Sequence, residues 1–400
     1  MRADLALCGR HYQSGERIRL IVKDGRIASI EHDGAADSAT ADDEARSQSG
    51  VATPEELWIA PGLVDLQVNG YRGYDLNQLA LTTQNVRAMV ESLWETGVTG
   101  LFPTIVTNAR AATEALLRTI VEARRDPAIR ASIPGIHLEG PYISSEDGPR
   151  GAHDKRYVRP PDWEEFLRWQ DAAEGLVRLV TLSPEWPGAP DFIRRCANSG
   201  VRVAIGHTAA SSKQIEAAVD AGATLSTHLG NGAHKMLPRH PNYIWDQLAN
   251  DSLHASFIAD GFHLPDSVIR VILKMKLSTS FLISDVVALG GMPPGRYKSH
   301  IGGNVVLTEA GQLYMAEDPT LLAGSVSTLL QSVCNLANKR ILPFSQAWDL
   351  ASTRPLRYIN PGVERGLVEG EPANIVCFHR RETTVVVEHV FIEGKVMLSK

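Results

Sequence analysis

Nowhere in the 400 residues do about 18 uncharged apolar residues run together, the length a helix needs to cross a bilayer, so no membrane-spanning segment is expected. The opening MRADLALCGRHYQSGERIRL is interrupted by charge too early to serve as a secretory signal. Cysteine is scarce. Cys8, Cys196, Cys334 and Cys377 lie far apart and form no C-x-x-C pair, which removes both a disulfide framework and a thiolate metal site and fits a reducing cytoplasm. A basic stripe is missing too: 40 Lys and Arg are mixed with 46 Asp and Glu along the whole length, for a net charge of -6, so nucleic acid is not an expected partner.

What is present is apolar side chains, 44% of the total, enough for one large soluble domain with an appendage. Residues 1–30 alternate as short strands do, and Lys23-Asp24-Gly25-Arg26 places an Asp-Gly turn between IRLIV and IASI, which predicts a hairpin. The stretch 31–50 is small, polar and acidic, a composition that predicts a mobile loop. From residue 59 the texture changes to short apolar runs separated by amphipathic helical stretches. Candidate strands fall at 62–69, 98–104, 133–139, 177–183, 201–207, 223–228, 255–260 and 280–285. Eight strand-then-helix units predict a closed, parallel, TIM-like (β/α)8 barrel over residues 59–355. One unit is especially legible: VRVAIGH is a strand, Ser211 or Ser212 caps the helix KQIEAAVDA, Gly222 ends it, and TLSTH returns as the next strand. The C-terminal segment alternates again, with a turn at Glu393-Gly394 and no helical partners. Pairing it with the N-terminal strands gives a small β-sandwich domain from both chain ends, residues 1–58 and 356–400.

In a parallel barrel, reactive side chains collect where the strands end, because the loops there share one mouth. Four of the predicted strands end in an ionisable residue: the third in Glu139, the fifth in His207, the sixth in His228 and the eighth in Asp285. Two imidazoles and one carboxylate suit a divalent ion, zinc by preference, with a position left open for water; iron, manganese and cobalt accept the same donors. Such an ion brings the pKa of its water toward neutrality. A lone His at a strand end is more often a satisfied hydrogen-bonding residue than a ligand. His207 and His228 are different, because a single crossover joins their strands and makes them neighbours. Asp285 follows the apolar run FLIS, where an unpaired carboxylate would be costly unless it has work to do. His137 is left outside the ligand set as a supporting residue. In the first strand, LVDLQVNG, strict alternation would put Asp65, Gln67 and Asn69 on one face; amides bind metals less well than imidazole, so Gln67 and Asn69 are expected to hydrogen-bond rather than hold a second ion.

Six segments in one order, PGLVDLQVNG, HLEGPYIS, GHTAA, THLGNG, DGFH and ISDVVALGG, resemble the N-acetylglucosamine-6-phosphate deacetylase family of the amidohydrolase superfamily across nearly the whole chain. The resemblance implies a deacetylase that hydrolyses the N-acetyl amide of N-acetylglucosamine 6-phosphate, with Glu139, His207 and His228 on one metal ion and Asp285 as acid and base. It adds substrate contacts. His153 and His263 match substrate-contacting histidines, Asn231 matches a residue near the phosphate, and Arg239 matches an arginine that reaches the phosphate of the neighbouring subunit, implying a homodimer; Gly232 beside Asn231 offers a backbone N–H to an anion. Two departures stand out. The loop after His228 reads Gly230-Asn231-Gly232-Ala233-His234-Lys235, more basic than the family's usual Asn-Ala-Met, and Asp285 is followed by Val286-Val287-Ala288-Leu289 instead of Ala and a proline turn. Other substrates therefore stay open, namely another N-acyl amino sugar, an N-acyl amino acid or a cyclic amide. A non-catalytic barrel used as a scaffold is the reading from another class, against which the complete set of four site residues speaks.

Overall fold

The structure, a computed structural model, describes residues 5–32, 56–299, 303–361 and 366–400, so the loop expected over 31–50 falls, from residue 33 on, outside the described residues. Eight parallel strands succeed one another around a barrel in chain order: β1 (Leu63–Val68), β2 (Val98–Val106), β3 (Ile136–Glu139), β4 (Val177–Leu182), β5 (Arg202–Ile205), β6 (Ala223–Ser226), β7 (His254–Phe257) and β8 (Ser280–Leu282). Every expected strand is there. Several stop two or three residues early, because the backbone leaves the extended region just before the site residues: His207, His228 and Asp285 have φ of 50°, 30° and 50°. The crossover between β5 and β6 is built as expected, with Ser211 at the cap of the helix Ser212–Asp220 and the Gln214 side chain accepting from the Ser211 N–H at 2.8 Å.

Alternation along the strands separates two cores. Leu101, Ile105, Leu138, Val180, Leu182, Val203 and Ile205 face the helical ring, while Val64, Leu66, Phe102, Leu179, Ala204, Leu225 and Phe281 fill the barrel and rest on Tyr358 from the helix Thr353–Ile359. Phe281 sits centrally, its ring 5.3 Å from that of Tyr358. Phe281→Ala should cost about 3–5 kcal/mol, because the surrounding strands cannot collapse into the hole. Urea unfolding checks this, and a loss under about 1 kcal/mol would mean that the barrel interior repacks.

The barrel closes where β8 meets β1, through backbone bonds just past the strands: Asp285 N–H donates to Gln67 O at 3.1 Å and Asn69 N–H to Val286 O at 2.8 Å. Here the expected one-face grouping of Asp65, Gln67 and Asn69 fails. Val64 and Leu66 both fill the barrel interior, which turns Asp65 to the seam, and a register shift between Asp65 and Val68 interrupts the period so that Gln67 and Asn69 reach the mouth instead. One oxygen of Asp65 accepts from the Ser284 N–H at 3.1 Å and the Gln67 N–H at 3.3 Å, stitching the two strands.

Burial pushes the Asp65 carboxyl up to about 7, further raised by the charge of Asp285 and opposed by the Ser284 and Gln67 bonds. The folded chain therefore holds its proton to higher pH than the unfolded chain does, and Asp65 takes stability away as pH rises from about 4 to about 7. Asp65→Asn keeps the accepting oxygen and loses the ionisation. Its stability relative to the parent should rise across that window by on the order of 1 kcal/mol per pH unit. Denaturant unfolding at pH 5 and 7.5 measures it; a constant difference would remove Asp65 from the pH response.

The terminal segments form one seven-stranded sheet in the order 395–399, 385–392, 375–380, 57–61, 5–11, 17–23, 26–32, in which only 5–11 and 57–61 run parallel. Both predicted turns are present, at Asp24-Gly25 and Glu393-Gly394, each with positive φ at both residues. The sheet curls until Ile27 N–H reaches Glu371 O and Ala373 N–H reaches Gly25 O, each at 2.9 Å. It thereby encloses Leu20, Ile59, Ile375, Cys377 and Phe391. The sandwich expected from the sequence is thus one continuous sheet folded over its own core. Trp348 ties it to the barrel, stacking on Phe378 at 4.8 Å and donating to Pro61 O at 2.9 Å.

Candidate active site

Glu139 ends β3, and His207 and His228 follow β5 and β6 by two residues. Placing two histidines and an aspartate in left-handed backbone costs on the order of 1–3 kcal/mol each. Three of the eight non-glycine residues with positive φ among the described residues are His207, His228 and Asp285. The strain turns each side chain inward over the end of the barrel.

The result is a compact triangle. His207 Nε2 and His228 Nε2 lie 3.1 and 2.9 Å from Glu139 Oε1 and 3.1 Å from each other. Two imidazole nitrogens cannot satisfy one another as acceptors, whereas a cation satisfies all three lone pairs at once. Bonds of about 2.0–2.2 Å to a tetrahedral ion put its ligand atoms a little over 3 Å apart, so the donor set fits such a group. His207 Nδ1 donates to Pro149 O at 2.8 Å, which leaves the Nε2 lone pair facing inward. These three residues form the His/Glu metal cluster of the described chain. Burial alone would raise the Glu139 carboxyl, but the bonds and charges of His207 and His228 hold it well below its usual range. Burial opposes charge on His228, and its bond to Glu139 overcomes that and raises it.

Asp285 faces this triangle. Its Oδ1 accepts from Asn69 Nδ2 at 2.7 Å and Gln67 Nε2 at 3.0 Å, and Gln67 Nε2 also donates to Glu139 Oε1 at 2.8 Å. The first-strand amides thus point N–H groups at the two carboxylates, an arrangement that supports one ion and works against a second between them. Burial and the nearby charge of Glu139 raise Asp285 to about 6, against the pull of His228, His263 and the Asn69 amide. Beneath the ligands, His137 Nε2 bonds to Thr181 Oγ1 at 2.7 Å; burial pushes this imidazole down to about 4 and keeps it neutral.

A cavity of about 510 Å3 opens above, lined by Asn69, His153, Asn231, Gly232, His263 and Asp285 among others. His153 packs edge-on against His207, ring centres 4.5 Å apart, and is fixed by Thr107 Oγ1 at 2.9 Å from its Nδ1. Burial first, then the His207 charge, push it down to about 3. His263 is oriented by Asp260 at 2.7 Å. Position 232 calls for glycine, since its φ is 58° and a Cβ there would lie 2.8 Å from His207 Nδ1. Asn231 Nδ2 and Asn69 Oδ1 are buried polar atoms without a hydrogen-bond partner among the described residues.

Two basic residues of the 230–235 loop part company. Lys235 lines the mouth, held by Thr320 at 2.8 Å and Asp318 at 3.2 Å, whereas His234 turns away to Glu146 and Tyr243. Arg239 is exposed and does not line the mouth of its own chain. The sequence reading missed the roof of the cavity. After β8, strands Gly295–Ser299, Gly303–Leu307 and Leu313–Met315 make an antiparallel sheet that brings Tyr297 and Lys298 to the mouth. The alternation in GNVVL and the Gly311 turn were the signals available.

A parallel barrel with two imidazoles and one carboxylate converging at its mouth, opposite a buried aspartate, defines a metal-dependent hydrolase. The chain belongs to the Amidohydrolase family, whose sequence profile matches residues 58–397, and within it groups with the N-acetylglucosamine-6-phosphate deacetylases. The N-acetylglucosamine-6-phosphate deacetylase of Bacillus subtilis is 32% identical over 69% of each chain. The N-acetylgalactosamine-6-phosphate deacetylase of Escherichia coli O157:H7 is 29% identical over 84% of this chain and 87% of its own. Among solved structures, an aspartate-to-alanine mutant of the Mycobacterium smegmatis N-acetyl-D-glucosamine-6-phosphate deacetylase in complex with N-acetyl-D-glucosamine-6-phosphate superposes with a TM-score of 0.83, 26% identity and full coverage of both chains.

Proposed function

We infer that this chain hydrolyses the N-acetyl amide of N-acetylglucosamine 6-phosphate to glucosamine 6-phosphate and acetate. The observation that carries the reading is the convergence of Glu139, His207 and His228 opposite Asp285 in a cavity of about 510 Å3, the size range of small-molecule sites. Glu139, His207 and His228 would hold one divalent ion, zinc by the nature of the donors, which when bound would supply polarisation of the amide carbonyl and of the attacking water. Asp285, ionised near neutral pH and steadied by Asn69 and Gln67, takes a proton from the attacking water and returns it to the departing amine. His153, neutral and anchored on Thr107, donates toward the oxygen that gains charge. His263, braced by Asp260, meets the sugar, while Asn231, the Gly232 N–H and Lys235 meet the phosphate.

A homodimer belongs to this reading: Arg239, exposed and away from its own mouth, would meet the phosphate in the mouth of a second copy. Light scattering, with Arg239→Ala raising KM more than it lowers kcat, tests that step. A cytoplasmic setting fits an enzyme of phosphorylated sugars.

The galactosamine epimer is the second reading, favoured by the Escherichia coli relative. Free-amine release from the two N-acetylhexosamine 6-phosphates, unphosphorylated N-acetylglucosamine and a set of N-acyl amino acids separates the cases. The inference predicts that kcat/KM is highest for N-acetylglucosamine 6-phosphate and falls at least about tenfold without the phosphate, whose charge-assisted bonds are then lost. Faster cleavage of an N-acyl amino acid would reject it.

A further inference from the structure

At the opposite end of the barrel, where conservation of structure usually serves stability alone, the strand starts enclose a second cavity of about 390 Å3. Arg202 opens β5, His254 opens β7, Ser280 opens β8, and the helix Thr353–Ile359 adds Arg354, Arg357 and Tyr358. Three guanidiniums and an imidazole line the space together with several hydroxyls, and none of the described lining residues is acidic.

None of the three arginines makes an ion pair among the described residues. Arg202 lies over the Tyr358 ring at 5.4 Å, and Arg354 Nη1 is buried without a partner among the described residues. Ser280, 1% exposed, also presents an unpartnered hydroxyl. Asp349 is the carboxylate whose charge acts on Arg354, and its oxygens accept from Tyr12 at 2.7 Å and Gln13 at 3.0 Å. Burial, helped by Arg357 and opposed by Asp349, pushes the Arg354 guanidinium below its ordinary value; burial, Arg202 and Lys276 do the same to His254. Three guanidiniums thus share this space, and the carboxylate that acts on Arg354, Asp349, is not among the lining residues.

We propose that this cavity is a binding site for a small phosphate ester, separate from the mouth, held by Arg202, Arg354 and Arg357 with Ser280 and Tyr358 at its wall. Guanidinium forks match phosphate oxygens two at a time, and hydroxyls satisfy the remainder. The volume falls in the range of organic ligands and exceeds what a bare oxyanion fills, so the site has room for the body of the ester as well.

Glucose 6-phosphate, which has no amide to cleave, is the probe, titrated calorimetrically into the whole metal-loaded protein. Two equivalents per chain are expected, one at each end of the barrel. Arg354→Gln combined with Arg357→Gln should remove one equivalent and leave circular dichroism unchanged. Arg202→Gln alone should weaken the same event by at least about tenfold, the loss of one charge-assisted pair. Inorganic phosphate is the second probe: weaker binding than the ester means the organic body is recognised, and equal binding assigns the site to free phosphate. If the mouth takes no sugar phosphate, the parent shows one event that the arginine variants abolish, so the two assignments fail separately. Titration of Arg202→Gln and of the double variant indistinguishable from that of the parent would overturn the proposal.

Discussion

Asp285→Asn lowers amide cleavage by about 10²–10⁴-fold, the range general acid–base groups contribute, and leaves one metal ion per chain. Both halves follow from the geometry. The Asp285 oxygen bonded to Asn69 and Gln67 can be replaced by an amide oxygen in the same place, so the side chain stays put and Glu139, His207 and His228 are undisturbed. What disappears is a proton acceptor at about 6, close enough to neutral pH to be ionised in the resting site and still basic enough to take a proton. Steady-state rates with elemental analysis of the same samples measure both quantities. A variant within about tenfold of the parent would reassign the proton transfer, with His153 next in line by position.

Glu139→Gln should strip the ion and with it essentially all turnover, and chelation of the parent should do the same reversibly. The carboxylate is the only formal negative charge in the triangle, and it balances two imidazoles at 2.9 and 3.1 Å. An amide there offers a weaker donor and leaves the nitrogens facing each other. Readdition of zinc should restore the chelated parent but not the variant, and iron, manganese and cobalt are the ions to compare. Binding to the folded chain alone also stabilises it, by about 4 kcal/mol when free ion exceeds Kd 1,000-fold, so thermal unfolding should move upward on reloading. Full activity after exhaustive chelation, with no ion by mass spectrometry, would reject the metal assignment. Asp285→Asn and Glu139→Gln thus fail differently, one holding its ion and the other losing it.

The barrel and the convergence of Glu139, His207, His228 and Asp285 were legible because closure of a parallel sheet forces strand ends into one mouth. The apolar runs marked those ends without any knowledge of side-chain contacts. Asp65 was misplaced with Gln67 and Asn69 for a physical reason: alternation holds only while the register does, and the shift beside the seam is a property of the pairing with β2. The opposite fates of His234 and Lys235 depend on Glu146, Tyr243, Asp318 and Thr320, contacts distant in sequence that no local pattern encodes. The roof strands carry alternation, but a short antiparallel sheet inside a strand-helix series is masked by the stronger rhythm around it. The basic cavity beneath the barrel was invisible for a similar reason, since Arg202 and Arg354 are 152 residues apart in the chain.

Closure of β8 on β1 has a consequence for how activity appears during folding. The peptide N–H that Asp285 gives to Gln67 O is one of the seam's own bonds, so the proton carrier arrives only when the barrel shuts. A chain with its first seven strands assembled and the eighth undocked already has Glu139, His207 and His228 in order, and can capture its ion, yet has no acid or base beside it. Metal uptake and turnover should therefore separate in time on refolding, with catalysis a reporter of the last strand.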